Sequence, residues 1–146
     1  MLPVIDSRTK ARFQLEITKF SKFKESLLSR SNFRPTLIGN LPWKISVMSL
    51  WDIEIESFVL GIFLQCDIEN TLKDWSANVE GELKLLNLKN HENDKVFLIK
   101  CLFKEKENSW GYSPFITINN VINNGFYDEI NDAITVEACI TLNLPF

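Results

Sequence analysis

Apolar side chains recur at every second position through most of this chain. Phe13, Leu15 and Ile17 alternate with Arg12, Gln14, Glu16 and Thr18, and a period of two sends one face of an extended segment into a core and the other into water. The same alternation returns at Trp43, Ile45 and Val47; at Trp75, Ala77, Val79, Leu83 and Leu85; at Phe97, Ile99, Cys101 and Phe103; and at Ile134, Val136, Ala138, Ile140 and Leu142. Ser57–Cys66 departs from it, being apolar on both faces through Phe58, Val59, Leu60, Ile62, Phe63 and Leu64, as expected of a central strand covered from both sides. Turn chemistry separates the runs at Pro35, at Gly39-Asn40, over Asp67–Asp74, over Lys89–Asp94 and at Asn123-Asn124-Gly125. Helical periodicity is scarce: Phe20–Leu28 holds one turn, and Thr117 caps a short helix over Ile118–Ile122. Seven or eight strands at this spacing predict an all-β fold, an antiparallel β-sandwich.

A chain of 146 residues, 45% hydrophobic and 24% charged, fits one domain around a single core. The formal charge of −3 and the dispersal of sixteen Lys and Arg argue against a nucleic-acid partner. Even the densest basic group, Lys10, Arg12, Lys19, Lys22 and Lys24, is interleaved with aromatic and aliphatic residues and reads as a solvated face. Neither a secretory signal nor an apolar stretch of membrane-spanning length is visible, so no membrane partner is expected. Cys66, Cys101 and Cys139 are an odd number set far apart in apolar runs, the pattern of reduced core thiols in an intracellular protein.

Catalytic and metal-binding patterns are lacking. His91 is the only histidine and sits in a loop of Asn, Glu and Asp, without the partner and orienting group that nucleophilic catalysis needs. There is no phosphate loop, dinucleotide glycine pattern or zinc motif. Glu54, Glu56, Asp67, Glu69 and Asp74 lie on turns without the ligand spacing of a calcium loop. No catalytic residue, metal or cofactor is therefore expected. Of the four tryptophans, Trp43 and Trp75 alternate with core positions, Trp51 stands near a strand end, partly exposed, and Trp110 follows a charged turn.

Trp110 belongs to the run Asn108-Ser109-Trp110-Gly111-Tyr112-Ser113-Pro114-Phe115, directly after Lys104-Glu105-Lys106-Glu107. Glycine lets another backbone come close, and Trp110 and Tyr112, two apart in an extended segment, point the same way as the walls of a shallow slot. If this segment is an exposed sheet edge, it is a place to hold an extended peptide.

The order of these features resembles a known family. Phe13-x-Leu15-x-Ile17 with Phe20-Ser21, Pro42-Trp43-Lys44-Ile45, Phe63-Leu64-Gln65-Cys66, Trp75-Ser76, Trp110-Gly111-Tyr112 and Asp132–Leu142 are collinear with the MATH (meprin and TRAF homology) domain. Asn40-Leu41-Pro42-Trp43-Lys44-Ile45 with Val47-Met48, Phe63-Leu64-Gln65-Cys66, and Lys106-Glu107-Asn108-Ser109-Trp110-Gly111 are most similar to the branch found at the N-terminus of the herpesvirus-associated ubiquitin-specific protease. The resemblance implies an eight-stranded antiparallel sandwich over residues 11–146 after an N-terminal extension of residues 1–10.

It also implies a non-catalytic domain of the nucleus and cytoplasm that recruits substrates or regulators to a deubiquitinating enzyme. The implied partners are ubiquitin-pathway proteins, held through short extended segments along the strand that begins near Trp110. In that branch the ligands carry Pro or Ala followed three positions later by Ser; the tryptophan packs on the small residue, and an Asp just before it bonds the serine. An Arg preceding Asn-Leu-Pro-Trp assists. This chain has Ser109 in place of that Asp and Gly39 in place of that Arg, so the implied peptide-binding set is Gly39, Ser109, Trp110, Gly111, Tyr112 and Ser113, with an altered ligand preference. Alternatives are a structural or oligomerising module, and a substrate adaptor joined to a BTB domain of a ubiquitin ligase. The N-terminus has no heptads to hold a trimer, and a monomer is expected.

Overall fold

Arg8–Thr18 forms β1, with Phe13, Leu15 and Ile17 buried and the residues between them facing solvent. In this computed structural model, residues 8–67 and 75–143 are described. After β1 come α1 (Phe20–Phe23), β2 (Ser29–Ser31), β3 (Thr36–Ile38), β4 (Leu41–Asp52), β5 (Ser57–Cys66), β6 (Ser76–Leu85), β7 (Lys95–Lys104), β8 (Ser109–Thr117), α2 (Ile118–Asn123) and β9 (Ala133–Asn143). β1 thus takes in Arg8–Lys10, which pair with Asn143–Thr141.

Two antiparallel sheets result. One has the order β1-β9-β6-β7; in the other β4 and β5 are central, β8 is one edge, and β2 and β3 share the opposite edge. Between the pairs Ser31↔Ser46 and Thr36↔Trp43 that edge advances further than β4 does, so it is interrupted. Asn32 bridges the break: its side-chain carbonyl accepts from the Ile45 N–H at 2.9 Å, and its Nδ2 donates to the Gln14 carbonyl of β1 at 2.8 Å. One edge split into two short pieces is how the nine strands of the described residues occupy the eight positions of the sandwich.

The inner faces meet around Trp43, Ile45, Leu64, Leu83, Phe103 and Val136, all fully buried. The Trp43 indole N–H donates to the Ile38 carbonyl, which satisfies its one polar atom, and its ring meets Phe103 edge-on with centroids 5.1 Å apart. β5 is central, as its apolar run predicts, but only Val59 of its outer face is fully buried among the large side chains; Phe63 is half-buried. Thr117 caps α2 by accepting from the Asn120 N–H. Gly39 and Asn40 both have left-handed φ, 58° and 62°, the two-residue turn whose twist suits a hairpin.

Asp132 fastens α1 to the strand that follows it. Its carboxylate accepts from the Ser21 hydroxyl and the Tyr127 phenol, both at 2.6 Å, and from the Ser21 N–H. The Ser21 hydroxyl, then the phenol, hold the Asp132 carboxyl below its usual range, and the bond to Asp132 pushes the Tyr127 phenol up to about 12.

Candidate functional site

β8 carries β5 on one side and, among the described residues, no strand on the other. Just before its start the Cys66 N–H donates to the Asn108 carbonyl at 2.9 Å, and Asn108 Nδ2 returns a bond to the Cys66 carbonyl at 3.0 Å. Cys66 and Asn108 stand opposite each other, in step with Gln65↔Ser109 and Leu64↔Trp110. Antiparallel ladders alternate, so Trp110 and Tyr112 turn their backbone groups toward β5, whereas Ser109 and Gly111 turn theirs to the open edge. The regular register ends at Ile62↔Tyr112; Ser113, Pro114 and Phe115 form a bulged stretch opposite Gly61, and Pro114 has no N–H to offer.

Side chains divide by face. Trp110 and Tyr112 stand opposite Leu64 and Ile62, both buried, and so lie on the inner side of the sheet at its rim. Trp110 is 39% exposed. Tyr112 is half-buried instead: its ring lies 4.6 Å from that of Phe97 on β7, and its hydroxyl donates to the Leu98 carbonyl. Of the two expected walls one remains open and the other spans the two sheets. The bond to Leu98, with the mutual backbone bonds of Lys104 and Glu107 at 3.2 and 3.0 Å, also occupies two points along the edge of β7.

Gly111 makes room for a neighbour within the fold. A Cβ there would lie 2.1 Å from the Ile62 carbonyl oxygen and 2.5 Å from Phe63 Cδ1. The glycine therefore admits the backbone of β5 and the Phe63 ring, whereas the sequence assigned it the admission of a ligand backbone. Phe63, half-buried on the outer face beside Gly111, gives the edge a second aromatic boundary that the sequence reading missed. Its only advance signal was an aromatic residue on the outer face of a central strand.

Ser109 and Ser113 are exposed on the same strand as Trp110. Gly39 lies in the β3–β4 turn, at the same end of the sheet but separated from β8 by β4 and β5, on the order of 10 Å at normal strand spacing. No charged side chain occurs between Ser109 and Thr117; ion pairs flank the start of the strand, Lys104–Glu107 in the β7–β8 turn and Lys44–Asp67 at 3.0 Å beside Cys66.

The other candidate groups lie elsewhere. His91 is exposed in a 3-10 turn, 3.5 Å from Asp94. Cys66 is buried, but Cys101 and Cys139 are only half-buried, which corrects the expectation of three core thiols: Cys101 is on an edge strand, and Cys139 faces outward opposite Arg12. Trp51 is partly exposed and Trp75 packs half-buried against the core. Glu69 and Asp74 lie outside the described residues.

A model of the MATH domain family matches residues 17–142. The chain is 33% identical over 142 residues to ubiquitin carboxyl-terminal hydrolase 7 of Drosophila melanogaster, covering 94% of this chain and 11% of that protein. It is 24% identical over 144 residues to the Caenorhabditis elegans protein of the same name, covering 90% of this chain and 12% of that one. The chain thus spans about a tenth of the length of these relatives. Among solved structures, TRAF5 of Notothenia coriiceps superposes with a TM-score of 0.60 at 16% identity, over 88% of this chain and 72% of that one, a likeness of fold.

Proposed function

Because this chain belongs to the MATH domain family, whose members are protein-interaction modules and not catalytic domains, we propose that it binds short extended segments of partner proteins by strand addition at β8. One observation carries the reading: the outward backbone groups of Ser109 and Gly111 lie on an edge that no other strand pairs among the described residues, with an exposed Trp110 between them. A ligand strand would gain affinity from backbone bonds to Ser109 and Gly111, and specificity from a small apolar side chain against Trp110 and a polar one at Ser109. Phe63 and Ser113 would bound its other face.

Ligand preference is altered relative to Pro/Ala-x-x-Ser. A ligand serine at Ser109 finds a neutral hydroxyl in place of a carboxylate, and Gly39 supplies no cation. Exchanging a charge-assisted bond for a neutral one removes about 1 kcal/mol or more, which is roughly a fivefold loss and up to tenfold or beyond. Similarity to ubiquitin carboxyl-terminal hydrolase 7 of two organisms supports a role in bringing ubiquitin-pathway substrates or regulators to a deubiquitinating enzyme. That the domain acts as a monomer, in the nucleus and cytoplasm, is part of the same proposal.

The test is titration of the isotope-labelled chain with Pro/Ala-x-x-Ser peptides and their Ser-to-Asp variants. Shifts at the Trp110 indole and the Ser109–Ser113 amides, lost in Trp110→Ala, are expected. If no peptide moves these signals, or Trp110→Ala binds as the parent does, the reading fails.

A further inference from the structure

The tip of the β4–β5 hairpin lies at the far end of β5 from the β7–β8 turn, about 30 Å away at the rise of an extended strand. Its sequence, Trp51-Asp52-Ile53-Glu54-Ile55-Glu56, alternates large apolar and acidic residues. Trp51, Ile53 and Ile55 are 51%, 81% and 45% exposed. Turns ordinarily select Gly, Asn, Asp, Ser and Pro for their backbone preferences, and neither isoleucine answers such a demand.

The tip is braced. Asp52 Oδ1 accepts the Glu54 and Ile55 N–H groups at 2.9 and 3.0 Å, and the Trp51 ring stands edge-on to Phe58 with centroids 5.2 Å apart. The Ser49 N–H and hydroxyl donate to the Leu28 and Lys24 carbonyls at 3.0 and 2.7 Å, which holds the connector bearing the exposed Leu27 and Leu28 beside β4. The exposed apolar side chains of the tip are therefore held on a preformed turn, of the kind that marks an interaction site.

Charge indicates what covers it. Among the described residues Asp52, Glu54 and Glu56 form no ion pair, and no Lys or Arg occurs between Lys44 and Lys73. Lys24 on the neighbouring connector acts on Asp132. Carboxylates framing Trp51 and two isoleucines complement a surface whose cations frame apolar side chains, and they repel an anionic lipid surface. We propose that this hairpin tip is a second docking surface, independent of β8, for a basic amphipathic segment of a partner protein.

The probe is a short amphipathic helical peptide of Leu and Lys, which cannot add to β8 as a strand, compared with its Leu and Glu counterpart. The Lys peptide is expected to shift the Trp51 indole and the Ile53 and Ile55 signals of the labelled chain while leaving Ser109–Ser113 unmoved. Roughly fivefold weaker binding is expected in the Glu54→Lys/Glu56→Lys variant, in Ile53→Ser and at raised salt. No response at the tip, an equal response to the Glu peptide, or tip shifts that appear without peptide alongside concentration-dependent sedimentation, meaning a second copy of the chain, would each overturn the proposal. Because the readouts lie at opposite ends of β5, this result and that of the β8 titration are separable.

Discussion

Replacing Gly111 by alanine tests the packing behind the β8 edge. The added methyl would lie 2.1 Å from the Ile62 carbonyl oxygen and 2.5 Å from Phe63 Cδ1, when carbon and oxygen ordinarily approach no closer than about 3.3 Å. Phe63 can swing aside. The Ile62 carbonyl cannot, because Ile62 stands opposite Tyr112 and its movement disrupts the ladder there. The cost therefore belongs near the top of the overpacking range, about 2–3 kcal/mol. For a domain of this size that lowers Tm by roughly 4–12 °C. Gly61→Ala is the control, since its methyl would meet Phe63 Cε2 at 3.0 Å, the far end of a ring able to swing, and Ser113 Cβ at 3.2 Å, a contact that a shift of a few tenths of an ångström in the bulged stretch relieves. Its cost should be the smaller of the two, at the low end of the same range, about 1 kcal/mol. Urea and thermal unfolding of the two variants decide the matter. Gly111→Ala as stable as the parent, or Gly61→Ala the more damaging of the two, would refute the role given to Gly111.

Two further outcomes are expected. Tyr112→Phe keeps the ring against Phe97 and removes only the bond to the Leu98 carbonyl, so urea unfolding should show a loss of about 1 kcal/mol. Asp132 and Tyr127 should give stability opposite pH limits. The depressed Asp132 carboxyl contributes stability above its unfolded value of about 3.9, lost as pH falls through the folded value. The raised Tyr127 phenol contributes below its unfolded value of about 10, lost as pH climbs toward about 12. Tm against pH should show a shallower acid-side slope in Asp132→Asn, the depressed Asp128 supplying part of what remains, and a shallower alkaline-side slope in Tyr127→Phe.

The strands were legible because burial on one face imposes a period of two that survives in a single sequence, as at Phe13, Leu15 and Ile17. Local turn chemistry was legible for the same reason, since Gly39-Asn40 and the Thr117 cap depend only on neighbours in the chain. Pairing was not, because it rests on contacts between residues far apart in sequence. Nothing near Trp110 discloses that Gly111 is crowded by β5, or that Tyr112 reaches across to Leu98. Nor could spacing reveal that two other strands separate Gly39 from β8. The exposure of Cys139 was readable and was missed: it falls between Ala138 and Ile140, both on the buried alternation, and so points the other way.

Amide hydrogen exchange on the chain, with and without a Pro/Ala-x-x-Asp or Pro/Ala-x-x-Ser peptide, tests strand addition at β8 most directly. Binding should slow exchange at the outward amides of Ser109 and Gly111 while leaving those of Trp110 and Tyr112, already turned toward β5, unchanged. Bound peptide that protects neither Ser109 nor Gly111, or that protects amides on another strand instead, would contradict the assignment of β8 as the recognition edge.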